Sequence, residues 1–131
     1  MLEKYAEDVK LVFKNFPLTK HKFARKAAEA ALAAHAQGKF WEFHDKLFEN
    51  YRNLNEAKVQ EIAKELDLDL EGFNRDVNDP AKQKLITRDV KDGQQAGVRS
   101  IPTVFINGKF LKNRSLEGFQ QMIEAELRRS R

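Results

Sequence analysis

Apolar positions along this chain follow three patterns. Near the start they are almost continuous, with Val9, Leu11, Val12, Phe13 and Phe16 running up to Pro17. A β-prone run with little alternation predicts a strand over residues 9–16 that is covered on both faces.

From about residue 21 to 96 the apolar positions recur at three- and four-residue steps, which predicts a block of five helices. Phe23 to Ala36 is rich in Ala, the best helix former, and Gln37-Gly38 supplies a stop. A second helix is expected from Lys39 to about Tyr51, with Phe40, Phe43, Leu47, Phe48 and Tyr51 toward the core. Asn55 can cap a third, whose face is Val59, Ile62, Ala63 and Leu66; a shorter fourth surrounds Leu70, Phe73 and Val77. Asp79-Pro80 is an N-cap followed by a first-turn proline, and it starts a fifth helix with Leu85, Ile86 and Val90 inward, ended by Gly93 to Gly97.

From Ser100 the period drops to two. Thr103 to Ile106, the pair Asn107-Gly108 and the return over Lys109 to Lys112 predict a hairpin over 103–112 with a two-residue type I′ turn. Ser115 then caps a last helix, 116–128, bearing Leu116, Phe119, Met122, Ile123 and Leu127 on one face. The order is strand, helical block, hairpin, helix, within a single domain spanning 1–131.

Composition narrows the chemistry more than the fold. The length of 131 residues, 41% hydrophobic and 34% charged, suits one core that buries roughly two-thirds of its unfolded surface without disulfide or metal support. Cysteine is absent, which excludes a nucleophilic thiol, a disulfide and thiolate metal ligation, and leaves the redox compartment open. The net charge of +4 is spread over helices on which both signs alternate, except at Arg128, Arg129 and Arg131, so nucleic acid is not an expected partner. No apolar run approaches the ~20 residues of a membrane helix, and the opening Met-Leu-Glu-Lys-Tyr-Ala-Glu-Asp is unlike a signal peptide.

Other site chemistry is poorly supported. His21, His35 and His44 lack the i,i+4 spacing of a helical ligand pair, so no metal or cofactor is expected. Trp41, Phe40 and Phe43 have the helical spacing of core residues beside Leu47. Ser100, Ser115 and Ser130 lack a nucleophile elbow, and no carboxylate pair stands out.

The most informative stretch is Ile101-Pro102-Thr103-Val104-Phe105-Ile106-Asn107-Gly108-Lys109, preceded by Gly97-Val98-Arg99-Ser100. A proline directly before a hairpin strand cannot donate to the ladder and marks a special turn. The stretch resembles the cis-proline loop and following hairpin of thioredoxin-fold proteins, specifically the DsbA-like thiol-disulfide oxidoreductases. Val12-Phe13-Lys14-Asn15-Phe16-Pro17-Leu18, then His21, Ala24, Ala27-Ala28, and Gln37 through Phe48 resemble that family's second strand and helical insertion, in the right order.

The resemblance implies an α/β chain with a truncated thioredoxin-like fold, carrying the helical insertion but missing the first strand and the active-site helix with its Cys-x-x-Cys. Met1 to Tyr5 resembles only the tail of that helix. It also implies a cis bond before Pro102 and an edge at Ser100, Ile101 and Pro102 where an extended substrate peptide could pair. The alternative, favoured by the loss of the redox half, is a turn that only positions the hairpin.

In the resembled fold the absent strand lies between 9–16 and 103–106. Buried peptide groups left unpaired cost about 1–3 kcal/mol each, so a homodimer completing shared sheets is expected, or else direct pairing of the flanking strands. Three readings of function follow: a redox-inactive remnant that assembles or binds, a piece of an active oxidoreductase whose Cys-x-x-Cys segment lies elsewhere, and an unrelated helical interaction module. The resembled family is often extracytoplasmic; nothing in these residues fixes a compartment.

Overall fold

The computed structural model describes residues 2–18, 21 and 23–130. The chain divides into two compact units, one formed by Met1–Phe13 with Gly97–Arg131 and the other by Lys14–Ala96.

The second unit is the helical block. Its helices are α1 (Ala24–His35), α2 (Phe40–Glu49), α3 (Glu56–Glu65), α4 (Leu70–Val77) and α5 (Pro80–Gln95), with a 3-10 turn at Tyr51–Asn53. Helix α1 is its centre, in contact with the other four. The sequence allows this because Ala27, Ala30, Ala31, Ala33 and Ala34 are all buried, and small side chains let neighbouring helices approach closely. Gly38, at φ +75°, turns the chain out of α1 in the left-handed region that favours glycine.

The later helices begin where their caps predict. Asn55 Oδ1 accepts from the Lys58 N–H at 2.8 Å, Asp69 Oδ2 from Gly72 at 3.3 Å, and Asp79 Oδ1 from Ala81 at 2.9 Å ahead of Pro80. The Gln37 side chain both donates to the Asp69 carbonyl, at 3.0 Å, and accepts from its N–H, at 2.8 Å, clamping the end of α1 to the start of α4. The core closes on Phe43 and Phe73, both fully buried and stacked at 5.6 Å between centroids, with Val59, Ile62, Ala63 and Leu68 around them.

Helix α2 departs from expectation on one face. Phe43 and Leu47 are buried, but Phe48 is 66% exposed, Tyr51 is 62% exposed, and Trp41 also faces out. At 100° per residue Phe48 lies well round the helix from Leu47, and Tyr51 has already left it for the 3-10 turn. Trp41, His44 and Phe48 instead form a second aromatic stripe, with His44 5.4 Å from Trp41 and 4.7 Å from Phe48.

The first unit contains the two-stranded hairpin β1 (Phe105–Ile106) and β2 (Lys109–Phe110), and helix α6 (Leu116–Ser130). Phe105 opposes Phe110 and Ile106 opposes Lys109 across an antiparallel pair. The turn residues Asn107 (φ 49°) and Gly108 (φ +79°) both adopt positive φ, as a type I′ turn requires. Ser115 Oγ accepts from the Gly118 N–H at 3.0 Å and so caps α6. Of the face expected on α6, Ile123 is buried while Leu116 is exposed. Residues 2–8 form turns rather than a helix end, with Asp8 and Val9 N–H groups both donating to the Tyr5 carbonyl at 3.0 Å; Met1 lies outside the described residues.

The strand expected at 9–16 is absent, since residues 9–18 carry neither helix nor strand. A strand exists only as one side of a ladder, and the single sheet among the described residues is the β1-β2 pair. Leu11, Val12 and Phe13 are accordingly exposed. Asn15 is buried by other means, its backbone N–H and Nδ2 both donating to Asp89 Oδ2 at 3.1 and 3.0 Å.

An acid-sensitive contact ties the hairpin to α6. The Glu126 side chain, only 7% exposed, meets Lys109 Nζ at 2.9 Å and Arg129 Nε at 3.4 Å. The hydrogen bond from Lys109 holds its carboxyl below the usual carboxylate range, against the opposing effect of burial. A lowered folded-state value stabilises the fold above the ordinary glutamate pKa, and that stabilisation is lost as pH falls through the depressed one. Chemical denaturation at a series of pH values should show wild type losing more stability on acidification than Glu126→Gln; parallel profiles would contradict this.

Candidate functional site

The residues singled out from the sequence, Ser100, Ile101 and Pro102, form an exposed loop entering β1. The Ile101–Pro102 peptide bond is cis. Two side chains hold the loop. Thr103 Oγ1 donates to the Ser100 carbonyl at 2.6 Å, and Arg114, from the segment between β2 and α6, donates through Nη1 to the Pro102 carbonyl. Beyond the loop, the Leu111 N–H donates to the Val104 carbonyl at 2.9 Å and continues the hairpin pairing.

This arrangement distributes the loop's hydrogen-bonding groups unevenly. The Ser100 and Pro102 carbonyls are taken within the protein, and proline has no N–H to offer. Ile101 keeps both its N–H and its C=O clear of backbone partners among the described residues, and its side chain is 53% exposed. A donor and an acceptor on one residue, beside an exposed apolar side chain, are what an extended peptide needs to pair with one more residue of backbone. The groups available here offer hydrogen bonds and an apolar contact, and no thiolate.

Sequence reasoning located the loop because proline before a hairpin strand is a strong local signal. It did not find Thr103 or Arg114 as supports. Thr103 follows the proline directly, where a hydroxyl can reach back to a nearby carbonyl, so a local signal existed. Arg114 reaches a carbonyl twelve residues earlier in the chain, and no spacing rule announces such a contact.

Elsewhere, among the described residues, no three His, Cys, Asp or Glu side chains come together in a metal-holding group, and no helix is long and apolar enough to cross a membrane.

Comparison with known proteins agrees on the fold. The family model described as thioredoxin matches residues 1–125. A solved structure, a thioredoxin-like oxidoreductase from Silicibacter pomeroyi, superposes with a TM-score of 0.74 at 28% sequence identity, covering 91% of this chain and 68% of that one. Among curated proteins, Na(+)/H(+) antiporter NhaA 3 of Salinispora tropica is 40% identical over 102 residues, covering 77% of this chain and 16% of the relative. The NhaA antiporter of Herminiimonas arsenicoxydans is 32% identical over 108 residues, covering 82% of this chain and 17% of its own length. The chain thus spans only a small part of the curated relatives it matches.

Proposed function

The chain belongs to the thioredoxin family, and from that premise we propose that it is the substrate-side part of a DsbA-like thiol-disulfide oxidoreductase, redox-inactive by itself. The observation that carries this reading is a family match over nearly the whole length of a chain with no cysteine. Membership removes the reading as an unrelated helical module.

In this function the Ser100–Pro102 loop takes an extended peptide. Ile101 supplies the backbone donor and acceptor, Pro102 fixes the direction of the chain, and Thr103 and Arg114 hold the neighbouring carbonyls so that the loop is preorganised. The electron transfer itself requires a thiolate that none of these residues provides.

The chain also assembles with a second copy through its open strand edge. Two features support assembly: β1 is paired on one side only among the described residues, and Leu11, Val12 and Phe13 are exposed within the same unit. One experiment with two readouts tests both parts. The chain is compared with a chimera carrying, ahead of Leu2, the first strand and Cys-x-x-Cys helix of a thioredoxin-like oxidoreductase. Expected are a dimeric mass by light scattering and no disulfide reductase turnover for the chain, against a monomeric mass and measurable insulin reduction for the chimera. A monomeric chain with a cooperative melt overturns assembly, and a folded but inactive chimera overturns the substrate-side assignment.

A further inference from the structure

Helix α5 sorts its charges by face. Asp89 is buried against Asn15, and Asp92 pairs with Lys14 Nζ at 3.2 Å. Lys84, Arg88 and Lys91 stand exposed, four and three residues apart, on one stripe of the same helix. None of these three pairs with a carboxylate among the described residues, whereas Lys82, off that stripe, is held by Asp79 at 3.7 Å.

A fourth cation comes from α1 and is fixed in place. Arg25 Nη2 donates to the Gln83 carbonyl at 3.0 Å and to Thr87 Oγ1 at 2.7 Å, while the Thr87 hydroxyl donates to the same carbonyl at 3.1 Å. Its Nε faces Glu29 at 3.8 Å, the one carboxylate paired with any of the four among the described residues. Together the four cations, with Pro80, Gln83 and Thr87, line a shallow, open groove of about 470 Å³ between α1 and α5.

From this segregation of charge we infer that the α1-α5 groove binds a phosphate-bearing ligand. A phosphate group offers several acceptor oxygens and negative charge, close to two as a monoester and about one as a lipid diester. Arg25, whose Nη2 is already used on the Gln83 carbonyl and Thr87, adds its charge at a fixed position, and the flexible cations around it supply charge and free donors. A net charge of +4 would attract any anion weakly to the whole surface. Four cations on one open groove, with Asp89 and Asp92 of the same helix paired elsewhere and Glu29 the one carboxylate beside them among the described residues, give attraction a place and a direction.

Two probes separate the sources of such a group: inorganic pyrophosphate, and vesicles of phosphatidylglycerol and phosphatidylcholine in equal parts. Each is tested on the full chain at low salt by titration, with amide chemical shifts recording where pyrophosphate binds. Lys84→Gln/Arg88→Gln/Lys91→Gln removes three cations from the groove; Lys64→Gln/Arg99→Gln/Lys112→Gln removes three exposed ones elsewhere. The melting temperature of each variant confirms folding. Expected is binding of at least one probe, weakened about tenfold for pyrophosphate or on the order of a hundredfold for vesicles by the groove variant and little by the other. Binding of pyrophosphate points to a free phosphate compound, and binding of vesicles alone to a lipid headgroup; both support the site. No binding of either probe, or equal losses in the two variants, overturns it.

Discussion

Replacing Phe73 with alanine is expected to destabilise the helical block by about 3–5 kcal/mol, the range for truncating a fully buried aromatic. Phe73 is wholly buried, stacks on Phe43, and packs within a cluster drawn from all of α1 to α4. The α1 alanines in the same buried cluster have no side-chain torsion with which to reach into a void, so the cavity left behind has little with which to fill itself. Domains of this size are stable by about 5–15 kcal/mol, so the loss is a large fraction of the whole. Urea denaturation followed by circular dichroism should show a lowered midpoint with an unchanged slope. Phe73→Leu, which keeps most of the volume, should cost far less. Equal losses for the two variants would show that the site is not tightly packed.

The second large effect is expected at Gly118, and its sign runs against propensity. In an open helix, glycine to alanine gains about 1 kcal/mol. Gly118 lies in the first turn of α6, and a Cβ there would overlap the Asn113 carbonyl oxygen and crowd the Asn113 side chain. The obstructing atom is backbone, so relief requires moving the chain that leads into the helix. That movement also disturbs the cap, in which Ser115 Oγ holds the Gly118 N–H and Asn113 Oδ1 holds the Ser115 N–H. Gly118→Ala should therefore lose about 1–3 kcal/mol, as overpacked sites do. A melting temperature equal to or above wild type would refute the close approach.

The contrast between the two units explains what could be read from the sequence. In the helical block, contacts that define each element are local, and Asn55, Asp79, Pro80 and Gly38 announce helix ends within a few residues of where they lie. The same holds for Asn107-Gly108 and Ser115 in the other unit. The run at 9–16 is different in kind, because β-prone residues become a strand only when a non-local partner supplies a ladder. On α2 the aromatics at Phe43 and Phe48 were both legible as helix positions, but which of two stripes is inward depends on where α1 and α4 pass. The candidate loop was legible at Pro102, and its support from Arg114 was not, for the same reason of distance along the chain.

The contacts at Lys14 and Asn15 bear on the order of events in folding. The first unit is discontinuous, and the whole helical block intervenes between its two segments. Bringing such segments together in an unfolded chain costs closure entropy that grows with the length between them. Within the block, however, Asn15 and Lys14 at its entrance are bonded to Asp89 and Asp92 near the end of its last helix. Once the block has folded, its own clasp has already brought entrance and exit side by side. The segments of the first unit then meet across a short gap, so their closure becomes a late and nearly local step that depends on the block having formed first.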